Sequence, residues 1–173
     1  MTKLGIAPKS PALVVMGVAG CGKSTVGIAL CERVGARMIE GDAFHPESNI
    51  RKMSAGIPLD DADRAGWLTR LGEELAKTVA DGETVVLACS ALKRRYRDML
   101  RAAVPELGFV YLELTPDEAR ERVAHRSGHF MPATLIGSQF RDLEPPFDEQ
   151  RVLSVHATAP LEAIIEDVAA WWL

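Results

Sequence analysis

An α/β fold of three layers, α/β/α, with a five-stranded parallel sheet between the helices, is what the sequence predicts, on three observations. Short, continuously apolar runs alternate with longer segments whose apolar residues recur at helical spacing, the order that builds a parallel sheet covered on both faces. The first of these runs, Ala12-Leu13-Val14-Val15-Met16, ends in a glycine-rich stretch that opens a helix. A length of 173 residues, with 47% hydrophobic and 25% charged, suits one domain (1–173) with a real core and fits neither a disordered chain nor a membrane protein.

After the strand at 12–16, Lys23 to Val34 reads as a helix stopped near Gly35, and Arg37 to Glu40 as a short second strand. Gly41-Asp42-Ala43-Phe44-His45-Pro46 is turn-like, and Glu47 to Ala55 is helical until Gly56-Ile57-Pro58 breaks it. Asp60 or Asp61 caps a helix with Trp67, Leu68, Leu71, Leu75 and Val79 at helical spacing, closed by Asp81-Gly82. Thr84 to Cys89 is a third, fully buried strand, Lys93 to Val104 a helix ended by Pro105, and Phe109 to Leu114 a fourth strand. Thr115-Pro116-Asp117-Glu118 joins an N-cap, a proline at the first helical position and an acid three residues past the cap, starting a helix to about Arg126. The small and aromatic residues from Arg126 to Pro132 interrupt the pattern and form a candidate lid, about 124–134. A helix from Ala133 to Leu143 and a Pro145-Pro146 turn follow. Arg151 to His156 is the fifth strand, and Pro160 to Leu173 a terminal helix with Leu161, Ile164, Ile165 and Val168 facing inward.

Lys plus Arg number 20 against 24 Asp plus Glu, a net charge of -4. No global field gathers nucleic acid, so an anionic ligand must be held locally. Cys21, Cys31 and Cys89 are odd in number and form no CxxC pair, which argues against a disulfide framework and a structural zinc site. The apolar run before Gly17 is shorter than a signal-peptide core or a membrane span. A reduced, cytoplasmic protein without a membrane partner is expected.

Gly17-Val18-Ala19-Gly20-Cys21-Gly22-Lys23-Ser24 matches G-x-x-x-x-G-K-[ST], the P-loop, directly after a buried strand and opening a helix. Backbone N–H groups of such a loop curl around phosphate oxygens, Lys23 reaches the β and γ phosphates, and Ser24 offers a hydroxyl to Mg²⁺. Thr25 follows as an N-terminal helix residue. A P-loop alone does not choose among a kinase, a nucleotide switch and a motor ATPase. There is no Asn-Lys-x-Asp guanine reader, and Asp63-Arg64-Ala65-Gly66 is a chance match to Asp-x-x-Gly within a helical stretch. The third strand ends Ala88-Cys89-Ser90-Ala91, without the metal-binding acid of a motor. Glu40-Gly41-Asp42 instead places two carboxylates after the second strand, on the sheet edge that holds the P-loop. One can orient an attacking hydroxyl and take its proton, and the other can hold a water of a Mg²⁺ shell.

The run Asp42, His45-Pro46, Asn49, Arg51-Lys52-Met53, Gly56, Pro58-Leu59-Asp60, Asp63-Arg64 and Trp67-Leu68 resembles the signature of the small P-loop gluconate kinases, relatives of shikimate kinase. Cys89-Ser90-Ala91-Leu92-Lys93, Tyr96-Arg97-Asp98, Gly128-His129-Phe130, Gln139-Phe140 and Leu143-Glu144 extend the resemblance over nearly the whole chain. It implies transfer of the ATP γ-phosphoryl group to the 6-hydroxyl of D-gluconate, with Mg²⁺, by a homodimer. It further implies a P-loop NTPase-type fold with a helical substrate-binding segment near 45–80 and the lid.

A polyol carboxylate needs several hydrogen-bonding partners and cations at its carboxyl end, for which His45, Arg51, Arg64, Ser90, Lys93 and Arg97 are available beside Asp42. Asp42 and Arg64 lead that set by resemblance, and Arg122 and Arg126 are the lid-helix arginines for phosphate and adenine. Lys23, Asp42 and Arg126 are the residues expected to act on the transferring group. Glu40 stands where relatives often place Asp and reaches about 1.5 Å further. Trp67 and Met53 read as core packing, Lys52 as a surface charge. A kinase for another small hydroxy acid or a nucleoside monophosphate, and a non-catalytic nucleotide-binding regulator, are the alternatives.

Overall fold

The computed structural model describes residues 8–124 and 135–173. Most of the expected lid, with Arg126, lies outside the described residues. The central strand β1 (Ala12–Met16) is flanked by β3 (Val85–Ala88) and β4 (Gly108–Glu113), with β2 (Arg37–Glu40) and β5 (Val152–His156) at the two edges. Every pairing is parallel, in the order β2-β3-β1-β4-β5. The expected five-stranded parallel sheet is therefore the one observed.

All of β1 is buried, and its side chains alternate between two cores. Leu13 and Val15 join Leu30 of α1 (Lys23–Val34) and Val168 and Trp172 of α7 (Leu161–Trp172). Ala12, Val14 and Met16 join Leu71 and Leu75 of α3 (Asp61–Ala80) and Leu100 of α4 (Arg94–Ala103) on the opposite face. Each fully buried leucine contributes about 1.5–3 kcal/mol. This is why unbroken apolar runs, rather than alternating ones, mark these strands. A third cluster joins Met53 of α2 (Glu47–Ser54) and Leu59 to Leu135, just ahead of α6 (Ile136–Asp142). The helix α5 (Pro116–Ala124) starts in the expected box, Glu118 N–H donating to Thr115 Oγ1 and Thr115 N–H to Glu118 Oε1.

Asp60 is the cap of α3, and the box is closed by Asp63: Asp63 N–H donates to Asp60 Oδ1 at 2.7 Å and Asp60 N–H to Asp63 Oδ2 at 3.0 Å. Asp63 thus has a local structural task, in keeping with a chance Asp-x-x-Gly match. It also accepts from Lys52 Nζ at 2.8 and 2.9 Å, so Lys52 is an ion-pair partner rather than a free surface charge. Leu161 does not face inward: at the first position of α7 it precedes the turns that meet the sheet, and Ala169 and Trp172 complete the buried face instead.

Arg97 is a correction of a different kind. Expected to meet substrate, it is fully buried, with its guanidinium bound to Glu149 (2.6 and 2.9 Å) and donating to the main-chain carbonyls of Ala91, Leu92 and Glu144. It staples α4 to the segment after α6, with no donor turned to the cleft. Arg97→Ala leaves the Glu149 carboxylate buried beside Arg101 alone. A loss of about 3–5 kcal/mol in unfolding free energy is expected, read from a urea titration.

Candidate active site

β1 ends at Met16 and the chain turns at Gly17, where φ is +150° and an added Cβ would lie 2.7 Å from Cys21 Sγ and 3.0 Å from the Leu112 carbonyl oxygen. Val18 and Cys21 send their side chains into the core, so the loop is anchored from below and presents main chain above. Gly22, at φ +93°, is the N-cap of α1, whose first turn carries no acid to oppose an anion. Lys23 Nζ folds back to donate to the carbonyls of Gly17 (3.1 Å) and Val18 (3.2 Å). Arg122 donates to Gly20 O, Cys21 O and Ala157 O, tying the loop to the turn after β5. Ala19 N–H donates to Gln139 Oε1 of α6 at 2.9 Å.

Ser24 Oγ donates to Glu40 Oε2 at 2.5 Å. With its O–H directed at Glu40, the hydroxyl keeps its lone pairs for a hard cation. No cluster of three or more His, Cys, Asp or Glu able to hold a metal occurs among the described residues. A Mg²⁺ ion, which keeps several waters and binds phosphates, fits a single hydroxyl with a nearby carboxylate.

β2 leaves the sheet through a 3₁₀ turn, Gly41–Phe44. A Cβ on Gly41 would lie 2.5 Å from the Ala88 carbonyl oxygen, so only glycine lets this turn press against β3 and carry Asp42 to the cleft. Trp67 Nε1 donates to the Gly41 carbonyl at 2.8 Å, and the His45 ring stacks on Trp67 with centroids 3.9 Å apart and planes 17° apart. Burial pushes the His45 imidazole down to about 4; Asp42 opposes that shift and Arg64 adds to it. Arg64 Nη1 donates to Tyr96 Oη (2.9 Å) and Asp142 Oδ2 (3.0 Å), and the Tyr96 hydroxyl donates to Asp61. The Tyr96 hydroxyl, then Lys93, holds the Asp61 carboxyl down at about 2.

One cleft of about 300 Å³ joins the two halves. Ala19, Gly20, Gly22, Lys23 and Ser24 of the P-loop line it together with Glu40, Asp42, His45, Arg64 and Ser90. Three expected substrate contacts lie elsewhere. Arg97 is buried, Lys93 is bound to Asp61 at 3.0 Å, and Arg51 projects into solvent beside Glu47. Thr25 is exposed on α1 and does not line the cleft, while Gly17, Val18 and Cys21 serve the loop through its backbone and footing. Met53 and Trp67 are core residues as expected and also wall the cleft, with Pro58, Leu59 and Leu135. Ser138 and Gln139 complete the lining from α6 and went unassigned, because a buried polar residue in a short helix has no periodic signature.

A parallel sheet whose central strand ends in a P-loop, facing a carboxylate and an arginine across one cleft, defines a P-loop kinase. A family model described as an AAA domain matches residues 13–146. The chain is 44% identical over 167 residues to the gluconokinase of Gluconobacter oxydans (strain 621H), covering 96% of this chain and 93% of that one. It is 40% identical over 154 residues to the thermosensitive gluconokinase of Escherichia coli (strain K12), covering 88% and 82%. The crystal structure of a gluconokinase from Sinorhizobium meliloti 1021 superposes with a TM-score of 0.86 at 48% identity, covering 95% of this chain and 93% of that one. The chain belongs to the gluconokinase family. Among the described residues no helix is long and apolar enough to cross a membrane.

Proposed function

We propose that the protein transfers the γ-phosphoryl group of ATP to the 6-hydroxyl of D-gluconate, giving 6-phospho-D-gluconate and ADP. The observation that supports this is a cleft lined by Lys23 and Ser24 together with Asp42, His45 and Arg64. The loop amides and the N-terminus of α1 receive the phosphates, and Lys23 exchanges the Gly17 and Val18 carbonyls for phosphate oxygens. Ala19 N–H becomes available to the nucleotide when it gives up Gln139. Asp42 accepts the proton of the 6-hydroxyl as its oxygen bonds to the γ-phosphorus, and the bond from that phosphorus to the bridging oxygen breaks with its electron pair leaving on ADP. Arg64 spends Nη1 on Tyr96 and Asp142, and the rest of its guanidinium meets the acceptor.

Ser24 and Glu40 would hold Mg²⁺, Ser24 directly and Glu40 through water; when bound, the ion offsets charge on the β- and γ-phosphates. The resemblance also assigns Arg126 and Arg122 to the nucleotide, the 45–80 segment to the acceptor and 124–134 to a lid, in a cytoplasmic homodimer. ADP release from MgATP, with D-gluconate, shikimate or AMP in parallel and mass detection of the product, tests the reaction. Stimulation by gluconate, with a product heavier by one phosphoryl group, is the expected result. Stimulation by shikimate or AMP alone would reassign the acceptor.

A further inference from the structure

Asn49, on α2, is 2% exposed and does not line the cleft. Its Nδ2 donates to the main-chain carbonyl of Asp63 at 2.9 Å. Only the nitrogen end of a carboxamide can face a carbonyl oxygen, so this bond decides which way the side chain is turned. The same Nδ2 lies 3.3 Å from Nδ1 of His45. A donor at that position requires Nδ1 to present its lone pair, which leaves the proton of the neutral ring on Nε2.

Nε2 faces Asp42 Oδ1 at 3.8 Å. That is too long for a hydrogen bond and shorter than two such bonds end to end, about 5.6 Å. One hydroxyl oxygen can therefore accept from Nε2–H while donating its own proton to Asp42. In the other tautomer a bare Nε2 would compete with Asp42 for that proton. The ring plane is already held by Trp67, itself pinned to the Gly41 carbonyl. The charged groups facing the ring are Asp42 on the 3₁₀ turn and Arg64 on α3.

We infer that Asn49 is a positioning residue: by fixing the Nε2–H tautomer of His45, it makes His45 and Asp42 a matched donor and acceptor for one substrate hydroxyl. The inference rests on Asp42 being the carboxylate of the proposed reaction, whereas the tautomer can be read without any substrate.

The test combines ¹⁵N–¹H correlation spectra of the imidazole nitrogens in the full chain with steady-state kinetics on MgATP and D-gluconate. In the wild type His45 carries its proton on Nε2 across pH 6–8. In the near-isosteric Asn49→Asp a carboxylate faces Nδ1, so the proton moves to Nδ1. The kcat/KM for gluconate is expected to fall about 10–100-fold, the scale on which orienting partners of a functional histidine act. It is also expected to gain a pH dependence absent from the wild type, with KM for ATP unchanged. Asn49→Ser, which adds no charge, is expected to leave a mixture of tautomers and an intermediate loss. An Nδ1–H ring in the wild type overturns the inference, as does an Asn49 variant that changes the tautomer and leaves gluconate kinetics and pH profile untouched. No gluconate turnover in a wild type with Nε2–H would overturn the functional reading and, with it, the role of the pair in catalysis, while the spectra still uphold the Asn49–His45 contact.

Discussion

Lys23→Ala is expected to reduce turnover by about 10³-fold or more, the largest single loss in the molecule. In the structure Nζ rests on two carbonyls of its own loop, within reach of the phosphates that the loop would hold. A methyl group restores neither the charge nor the donors. Arg64 cannot substitute, since its guanidinium is held by Tyr96 and Asp142. The amides of the loop and the N-terminus of α1 survive the change, so nucleotide binding should weaken much less than catalysis. Comparing kcat with the Kd for a non-hydrolysable ATP analogue separates the two. Full turnover by the alanine variant would remove Lys23 from the mechanism.

Asp42→Asn follows, with an expected fall of about 10²–10⁴ in kcat, the range for a positioned general base. The carboxamide preserves volume and offers the acceptor hydroxyl only a weakly basic oxygen. Asp42 lies on the β2 side of the cleft and makes no hydrogen bond to the P-loop, so KM for ATP should stay within about threefold. Near-normal turnover in this variant would sink the proposed role of Asp42. The two substitutions divide the cleft: one disables the donor half and the other the acceptor half.

The layered fold was legible because it rests on short-range rules. Apolar runs marked the strands, Asp60 and Thr115 announced helix starts, and Gly-Lys-Ser after a buried strand can stand in very few places. The acceptor half was legible only in part. Asp42, His45, Arg64 and Ser90 are brought together as expected, yet Arg51, Lys93 and Arg97 are equally basic and polar in sequence. What separates Arg64 from Arg97 is the partner that each finds across the fold, Asp142 at the end of α6 in one case and Glu149 beyond it in the other. Such pairings span 78 and 52 residues and leave no periodic trace. Gln139 and Asn49 belong to the family pattern but carried no role in it, because the roles depend on contacts that only the fold supplies: Gln139 with Ala19, and Asn49 with the Asp63 carbonyl that turns its amide toward His45.

The order of the sheet has a mechanical meaning. Ala88 of β3 lies abreast of Val15 on one side and Glu40 on the other, so exactly one strand stands between the P-loop strand and the strand that carries the acid. Neighbouring strands lie 4.7–4.9 Å apart, which makes the sheet a ruler with a fixed span of about 10 Å between the two strand ends. The span is set by main-chain hydrogen bonds and is indifferent to side chains. Substitutions in α2 and α3 can therefore reshape the walls of the cleft without moving the two strand ends, so the frame that carries the P-loop and the acid is built separately from the lining between them.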